Sequence, residues 1–406
     1  MDLIKKEEKM KFFEKNELKL LWPFYLDSLI SPMLFFAPAF FIVYFAYLNF
    51  TFFQIGILMA MSHLTIIFFE IPTGAIADLY GRKFSVLFGY LLEGIAVLAL
   101  FFVKDYLAVL LVFIFWGIAT TFSSGSKEAW VIDLIKKQDK NLTHSFFNKT
   151  QSIDSFALII SGFIGAFLVK ISGLSIIWSI AAFSFFISFT ILLFAKEVYI
   201  KRKVKIKESF SKTNKQAWKS ILYSYRHHVL FYFILAEVLL TFALNIQSSV
   251  SWIAFLKELG ISDYAFGYVW SAMGFVIMVS PVVTSKFLKK NKERNFMIFC
   301  LIIWAAITFM VLFAFKLLFA LTIMLLAIFF YFTQRPAERV YFHRFIPSKL
   351  RATVGSLSSM LTSLASALSF ILAGFLVDNI GSRYTIFISS FLVIPAILIL
   401  YFKIKD

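Results

Sequence analysis

Nine ionisable side chains stand inside long apolar stretches: Asp27, Glu70, Glu93, Lys127, Glu128, Asp154, Glu237, Arg335 and Glu338. A charge in hydrocarbon costs several kcal/mol unless it reaches water or a partner, so each needs a reason. A carboxylate there can take up and release a proton or meet a cationic solute, and opposite charges can form bridges that break and reform. Lys127 and Glu128 are adjacent. Arg335 and Glu338 share a helix face at a spacing of three, with Pro336 between them as a potential kink. These sets read as gate salt bridges, or as static charges whose long stems snorkel to an interface. Asp27 and Glu237 read as proton or substrate carboxylates, or as carboxylates simply paired, or hydrogen-bonded to nearby Ser28 or Asn245. Glu93 and Asp154 have no partner nearby in sequence. Glu70 precedes Pro72 and either couples a gate to the loop beyond it or hydrogen-bonds to a neighbouring helix.

The elements that must position these groups are apolar runs at 20–48, 53–75, 84–103, 107–133, 149–169, 173–195, 228–256, 263–285, 295–315, 317–346, 351–377 and 382–402. Each meets the length of roughly 20 residues that a membrane helix needs. They are too continuous for barrel strands, which alternate over about ten residues. An all-α integral membrane protein with twelve transmembrane helices follows. Sixty per cent of the 406 residues are apolar and mean hydropathy is +0.84, which leaves no room for a soluble enzyme or a disordered chain. Cys300, the single cysteine, excludes an intrachain disulfide framework, and the five histidines, His227 and His228 among them, form no metal-ligand pattern. No metal or cofactor is expected.

The net charge of +17 reflects topology rather than nucleic-acid binding. Of the 40 lysines and arginines, 33 fall in the tails and alternate loops, and five fall on the opposite side. Positive residues are retained in the cytoplasm, so both termini are expected there. The chain divides into a tail at 1–19, six spans over 20–195, a basic linker at 196–227, six spans over 228–402 and a short tail at 403–406. Within the linker, Trp218, Ile221, Leu222 and Tyr225 have the spacing of an interfacial amphipathic helix. The halves echo each other: Asp27 and Glu237 are 210 apart, Gly56 and Gly267 211, Pro72 and Pro281 209, and Lys127 and Arg335 208. A duplicated six-span unit, common among secondary transporters, accounts for the near-constant offset.

Between the second and third runs stands Gly74-Ala-Ile-Ala-Asp78-Leu-Tyr-Gly81-Arg82-Lys83. It resembles the signature loop of the major facilitator superfamily position by position. The resemblance implies two pseudo-symmetric six-helix bundles that rock about a central cavity lined by spans 1 and 7, usually in a monomer. It places Asp78 against the start of span 11 at Pro347-Ser348, where a carboxylate meets the positive end of the helix dipole. It also pairs Arg82 with Asp133, so that Gly74, Asp78, Gly81, Arg82, Lys83 and Asp133 form a conformational latch. Glu93 falls on a helix that is usually peripheral in this fold. The second-half counterpart keeps Lys289, Lys290, Lys292 and Arg294 without aspartate or glycine, and no matching latch is expected there.

No nucleotide-binding loop is present, so the expected energy source is an ion gradient, most simply protons. Phe69-Glu70-Ile-Pro72-Thr-Gly74 resembles bacterial drug-efflux members of the superfamily, tetracycline exporters among them. Phe113 stands where proton-coupled drug antiporters carry an arginine, and Gly162 and Gly165 stand without the proline of their span-5 pattern. The expected function is proton-coupled export of amphiphilic drugs; the alternative is uptake or exchange of a metabolite, an anion being suggested by Lys127 and Arg335. The lysine-, isoleucine- and phenylalanine-rich composition points to a bacterial plasma (inner) membrane. The 54 phenylalanines are expected to face lipid.

Overall fold

The computed structural model describes residues 13, 17–135, 140–198, 227–289, 291–344, 346 and 351–404. Most of the basic linker with its amphipathic segment, and Pro347-Ser348, lie outside the described residues. Twelve helices are long and apolar enough to cross a membrane. Spans 1 to 6 are Glu17–Tyr47, Phe52–Tyr80, Arg82–Phe102, Tyr106–Ile135, Ser145–Ser172 and Ile176–Leu193. Spans 7 to 12 are His228–Glu258, Ala265–Phe287, Glu293–Phe313, Leu317–Phe342, Leu357–Ile380 and Ser382–Phe402. The described residues contain no strand.

Packing repeats with the sequence offset. In the first half span 1 packs on spans 5 and 6, span 2 on span 4, and span 3 on spans 4 and 6. In the second half span 7 packs on spans 11 and 12, span 8 on span 10, and span 9 on spans 10 and 12. Spans 1 and 7 are both interrupted. Span 1 passes through a short 3-10 turn at Ala37–Ala39, and span 7 breaks at Gln247 and Ser248. Span 4 breaks at Gly125, whose φ of +66° suits a residue without a Cβ. The second section of span 4, Ser126–Ile135, therefore begins one residue before Lys127.

The halves meet along two seams, span 2 against span 11 and span 5 against span 8. Backbones touch there because glycine permits it. A Cβ on Gly56 would collide with the carbonyl of Phe370, one on Gly374 with that of Phe52, and one on Gly162 with that of Gly267. Ser271 donates a hydrogen bond to the Ile159 carbonyl at 2.6 Å. The His63 ring stacks on Phe370 with centroids 5.6 Å apart. All these contacts lie between the midplane and the end remote from the termini, here the far end. Toward the terminal end the same four helices leave Phe68, Phe156, Phe275 and Leu364 exposed.

Candidate functional site

Two charged clusters occupy equivalent places in the terminal half of each bundle. In the first, Lys127 bridges from span 4 to Asp27 on span 1, and Asp27 is fully buried. That ion pair is the described contact of the Asp27 carboxylate; no hydrogen-bond donor adds to it. Asp154 on span 5 and Tyr90 on span 3 are close enough to feel the charge of Lys127, and Ser28 lies beside Asp154. The expected pairing of Lys127 with Glu128 is not observed: Glu128 is exposed, because the helix restarts after Gly125 and presents Lys127 inward. Asp27 is likewise satisfied by a cation a hundred residues away rather than by Ser28 or Asn245.

The second cluster centres on Arg335 of span 10. Its Nη1 donates to both oxygens of Glu338 at 3.0 and 2.9 Å, so Pro336 between them does not prevent the pairing. Gln334 donates to the same carboxylate at 3.1 Å. Glu237 on span 7 accepts a hydrogen bond from Ser358 on span 11 and lies within the electrostatic reach of Arg335. Each cluster thus sets one cation among two carboxylates, Lys127 with Asp27 and Asp154, Arg335 with Glu338 and Glu237.

Glu93 is buried, and accepts hydrogen bonds from Ser123 at 2.7 Å and Thr120 at 3.3 Å, next to the break in span 4. Glu70 is exposed on the terminal half of span 2.

At the signature loop, Arg82 bridges Asp133 at 2.6 Å and also donates to the Ala129 carbonyl, tying the start of span 3 to the end of span 4. Lys83 does more than mark topology. Its Nζ donates to the carbonyls of Leu193 and Ala195, both at 2.7 Å, and its backbone N–H to Glu197, closing the C-terminus of span 6. Lysine at a helix C-terminus satisfies orphan carbonyls and complements the dipole. Gly81, at φ +102°, makes the turn that brings these groups together.

Contrary to the expectation from sequence, the second half has an equivalent of this arrangement. Glu293 bridges Arg344 at 2.9 Å, and Arg294 donates to the Ile404 carbonyl. All four residues lie 211 positions after Arg82, Asp133, Lys83 and Leu193. The contact is kept with its charges exchanged, which hides it from a search for aspartate and glycine. A second hidden echo lies at the far end: Gly374, Asp378 and Gly381 stand 300 positions after Gly74, Asp78 and Gly81, followed by Arg383. Asp378 accepts the backbone N–H groups of Phe52 and Phe53, capping span 2 from across the seam.

A cavity of about 440 Å³ lies between the midplane and the far end. Spans 7 to 11 form nearly all of its wall, and the first half contributes only Pro38 and Ala39. Trp252, Trp270, Trp304 and Tyr331 line it, with Asn245 and Gln247 as amides in the wall. Sequence reasoning gave these rings no role because aromatics are abundant throughout. The break in span 7, which carries Gln247 and Ser248 into the wall, was the available signal.

Twelve spans, paired six-helix packing, the signature loop and matching charged clusters in each half define a membrane transporter of two related halves. A sequence profile of the Major Facilitator Superfamily matches residues 27–370, and the chain belongs to that family. A Bacillus subtilis protein described as an uncharacterized MFS-type transporter, YxaM, is 27% identical over 380 residues, covering 90% of this chain and 91% of its own. Another MFS-type transporter, from Methanocaldococcus jannaschii, is 22% identical over 251 residues, 58% of this chain and 64% of its own. Among solved structures, the nucleoside transporter NupG superposes with a TM-score of 0.76 at 14% identity, covering 95% of this chain and 99% of that one. The D-xylose–proton symporter gives 0.73 at 15% identity, covering 95% and 98%. At such identities the likeness is one of fold.

Proposed function

We propose that this chain is a proton-coupled secondary transporter that exports amphiphilic compounds by rocking its two halves. The observation that carries this reading is the placement of Asp27 and Lys127. A fully buried carboxylate whose partner is a single, part-exposed lysine is a group whose charge must be compensated whenever that lysine moves. A proton is the simplest compensation. Loss of the bridge on rocking then ties proton uptake to the change of state, which is what coupling requires.

The lysine- and arginine-rich tails and alternate loops support a cytoplasmic position for both termini. The contacts across the far end of the seam then belong to an inward-facing state. The signature loop supplies the opposing latch, Asp78 meeting the start of span 11 when the cytoplasmic side closes. The lysine-, isoleucine- and phenylalanine-rich composition favours a bacterial plasma membrane, and the chain acts as a monomer. Uptake of an anionic metabolite is less well supported, because the two cations that suggested it are each accompanied by two carboxylates.

Inside-out vesicles holding a respiration-driven proton gradient, read with a pH-sensitive dye, test the proposal. Adding tetracyclines, cationic dyes, fluoroquinolones and a neutral coumarin in turn should release protons with at least one of them from vesicles with the wild-type chain and not from Asp27→Asn vesicles. Silence across the panel with tight vesicles and inserted protein would reject drug–proton antiport.

A further inference from the structure

The two halves share a packing scheme but differ in how they fill their centres. At position 35 of span 1 the first half carries Phe35, which packs edge-on against Phe185 at 5.2 Å and Trp116 at 6.2 Å. Phe41 stacks on Trp178 at 5.0 Å in the same cluster, and the interior is filled with rings. At the equivalent place in span 7, 210 residues on, stands Asn245. Its amide donates to Ser366 of span 11 at 2.8 Å, and a cavity of about 440 Å³ lies beside it. Gln247 accepts from Thr308 at 3.4 Å on the other side of the break.

None of the lining residues is charged. The closest ionisable group along span 10 is Arg335, one turn beyond Tyr331 and 5.7 Å from that ring, and it is already engaged with Glu338. A charged solute entering the cavity would lose its hydration with no counter-ion to replace it. An uncharged, flat molecule with a carbonyl oxygen finds ring faces to stack on and the amides of Asn245 and Gln247 as donors for that oxygen.

We infer that the cavity of the second half is the substrate site and that it selects uncharged aromatic solutes bearing hydrogen-bond acceptors, while the charged clusters serve coupling and gating alone. This rests on the transporter reading above and narrows its substrate from amphiphiles in general to neutral ones.

The test is equilibrium dialysis of the purified full chain in nanodiscs, with empty nanodiscs subtracted. The probes are 7-methoxycoumarin, its 4-acetic acid, its 4-trimethylammoniomethyl analogue, and 2-methoxynaphthalene, which lacks the lactone carbonyl. The neutral coumarin should bind at least about tenfold more tightly than either charged analogue, since a buried unpaired charge costs more than the roughly 1.4 kcal/mol that tenfold represents. Asn245→Phe, which installs the ring the first half carries, should abolish binding. Asn245→Ala should weaken the coumarin by roughly three- to tenfold and leave 2-methoxynaphthalene unchanged. Should the phenylalanine variant fail to fold, the alanine variant carries the test. Equal or tighter binding of a charged analogue, indifference of the coumarin to substitution at Asn245, or no binding by any probe would each overturn the inference. Binding as expected without proton flux in vesicles would instead leave the site standing and reject proton coupling. Flux with charged drugs alone would do the reverse.

Discussion

The carboxylate of Asp378, at the end of span 11, accepts the backbone N–H of Phe53 at 2.8 Å and that of Phe52 at 3.1 Å. One half of the molecule thus caps a helix of the other. The geometry joins two favourable terms, hydrogen bonds to orphan amides and a negative charge at the positive end of a helix dipole. Gly374, one turn earlier, allows the approach, because a side chain there would strike the Phe52 carbonyl. Separating the halves at the far end must break this contact.

Asp378→Ala should therefore shift the population toward a far-end-open state. A cap is worth about 1 kcal/mol, which corresponds to roughly a fivefold change in the ratio of states. Spin labels at Asn49→Cys and Tyr384→Cys, in a Cys300→Ser background, should show the longer distance gaining weight by that factor. Asp78→Asn, which weakens the proposed latch at the other end, should move the same distribution the opposite way while membrane insertion is unaffected. An unchanged distribution in the Asp378 variant would mean that the cap does not bear on the equilibrium.

The span 5–span 8 seam offers a stronger perturbation. A Cβ on Gly162 would collide with the Gly267 carbonyl and the Ser271 backbone nitrogen, neither of which can yield without moving a helix. Gly162→Val should hold the far end apart. The same spin-label pair should report a single long distance, and transport should fall below detection although the protein remains in the membrane. Normal transport by this variant would show that the seam need not close so tightly.

The span count, the duplication and the signature loop were legible in the sequence because hydropathy, offset and motif spacing are local or periodic signals. Arg82 meets Asp133 as the family resemblance implied. What escaped is long-range pairing. Nothing local to Lys127 distinguishes Asp27 from Glu128 as its partner; the break at Gly125, which turns the lysine inward, decides it. Glu93 sat on a helix expected at the periphery, yet it is held by Ser123 and Thr120 across the helix pair. The second-half counterpart of the Arg82–Asp133 bridge was hidden because Glu293 and Arg344 carry the charges in reverse order, so that only the offset reveals it.

That reversed pair makes a stability prediction. Glu293 is buried, and one of its oxygens has no hydrogen-bond partner, so its charge depends on Arg344. Arg344→Ala should lower the thermal unfolding midpoint of the detergent-solubilised protein, at a cost of about 3 kcal/mol for an uncompensated buried charge. The double variant Arg344→Ala with Glu293→Ala should recover most of the loss, because the penalty belongs to the stranded carboxylate rather than to the bridge. A double variant as unstable as the single would assign the effect to packing.

The same logic, applied to the first charged cluster, separates its structural role from its coupling role. Lys127→Met strands Asp27, which is fully buried. The variant should be destabilised, and since the carboxylate can escape the penalty only by binding a proton, it should hold that proton in every state. Substrate exchange down a concentration gradient should then persist while proton-driven accumulation is lost. Asp27→Asn removes the charge instead and should show the same uncoupling with near-normal stability, because the amide needs no counter-ion. The pair Asp27→Asn with Lys127→Met should match Asp27→Asn in stability. Proton-driven accumulation by Asp27→Asn at the wild-type rate would remove the Asp27–Lys127 bridge from the coupling mechanism and pass the role to Asp154, Glu237 or Glu338.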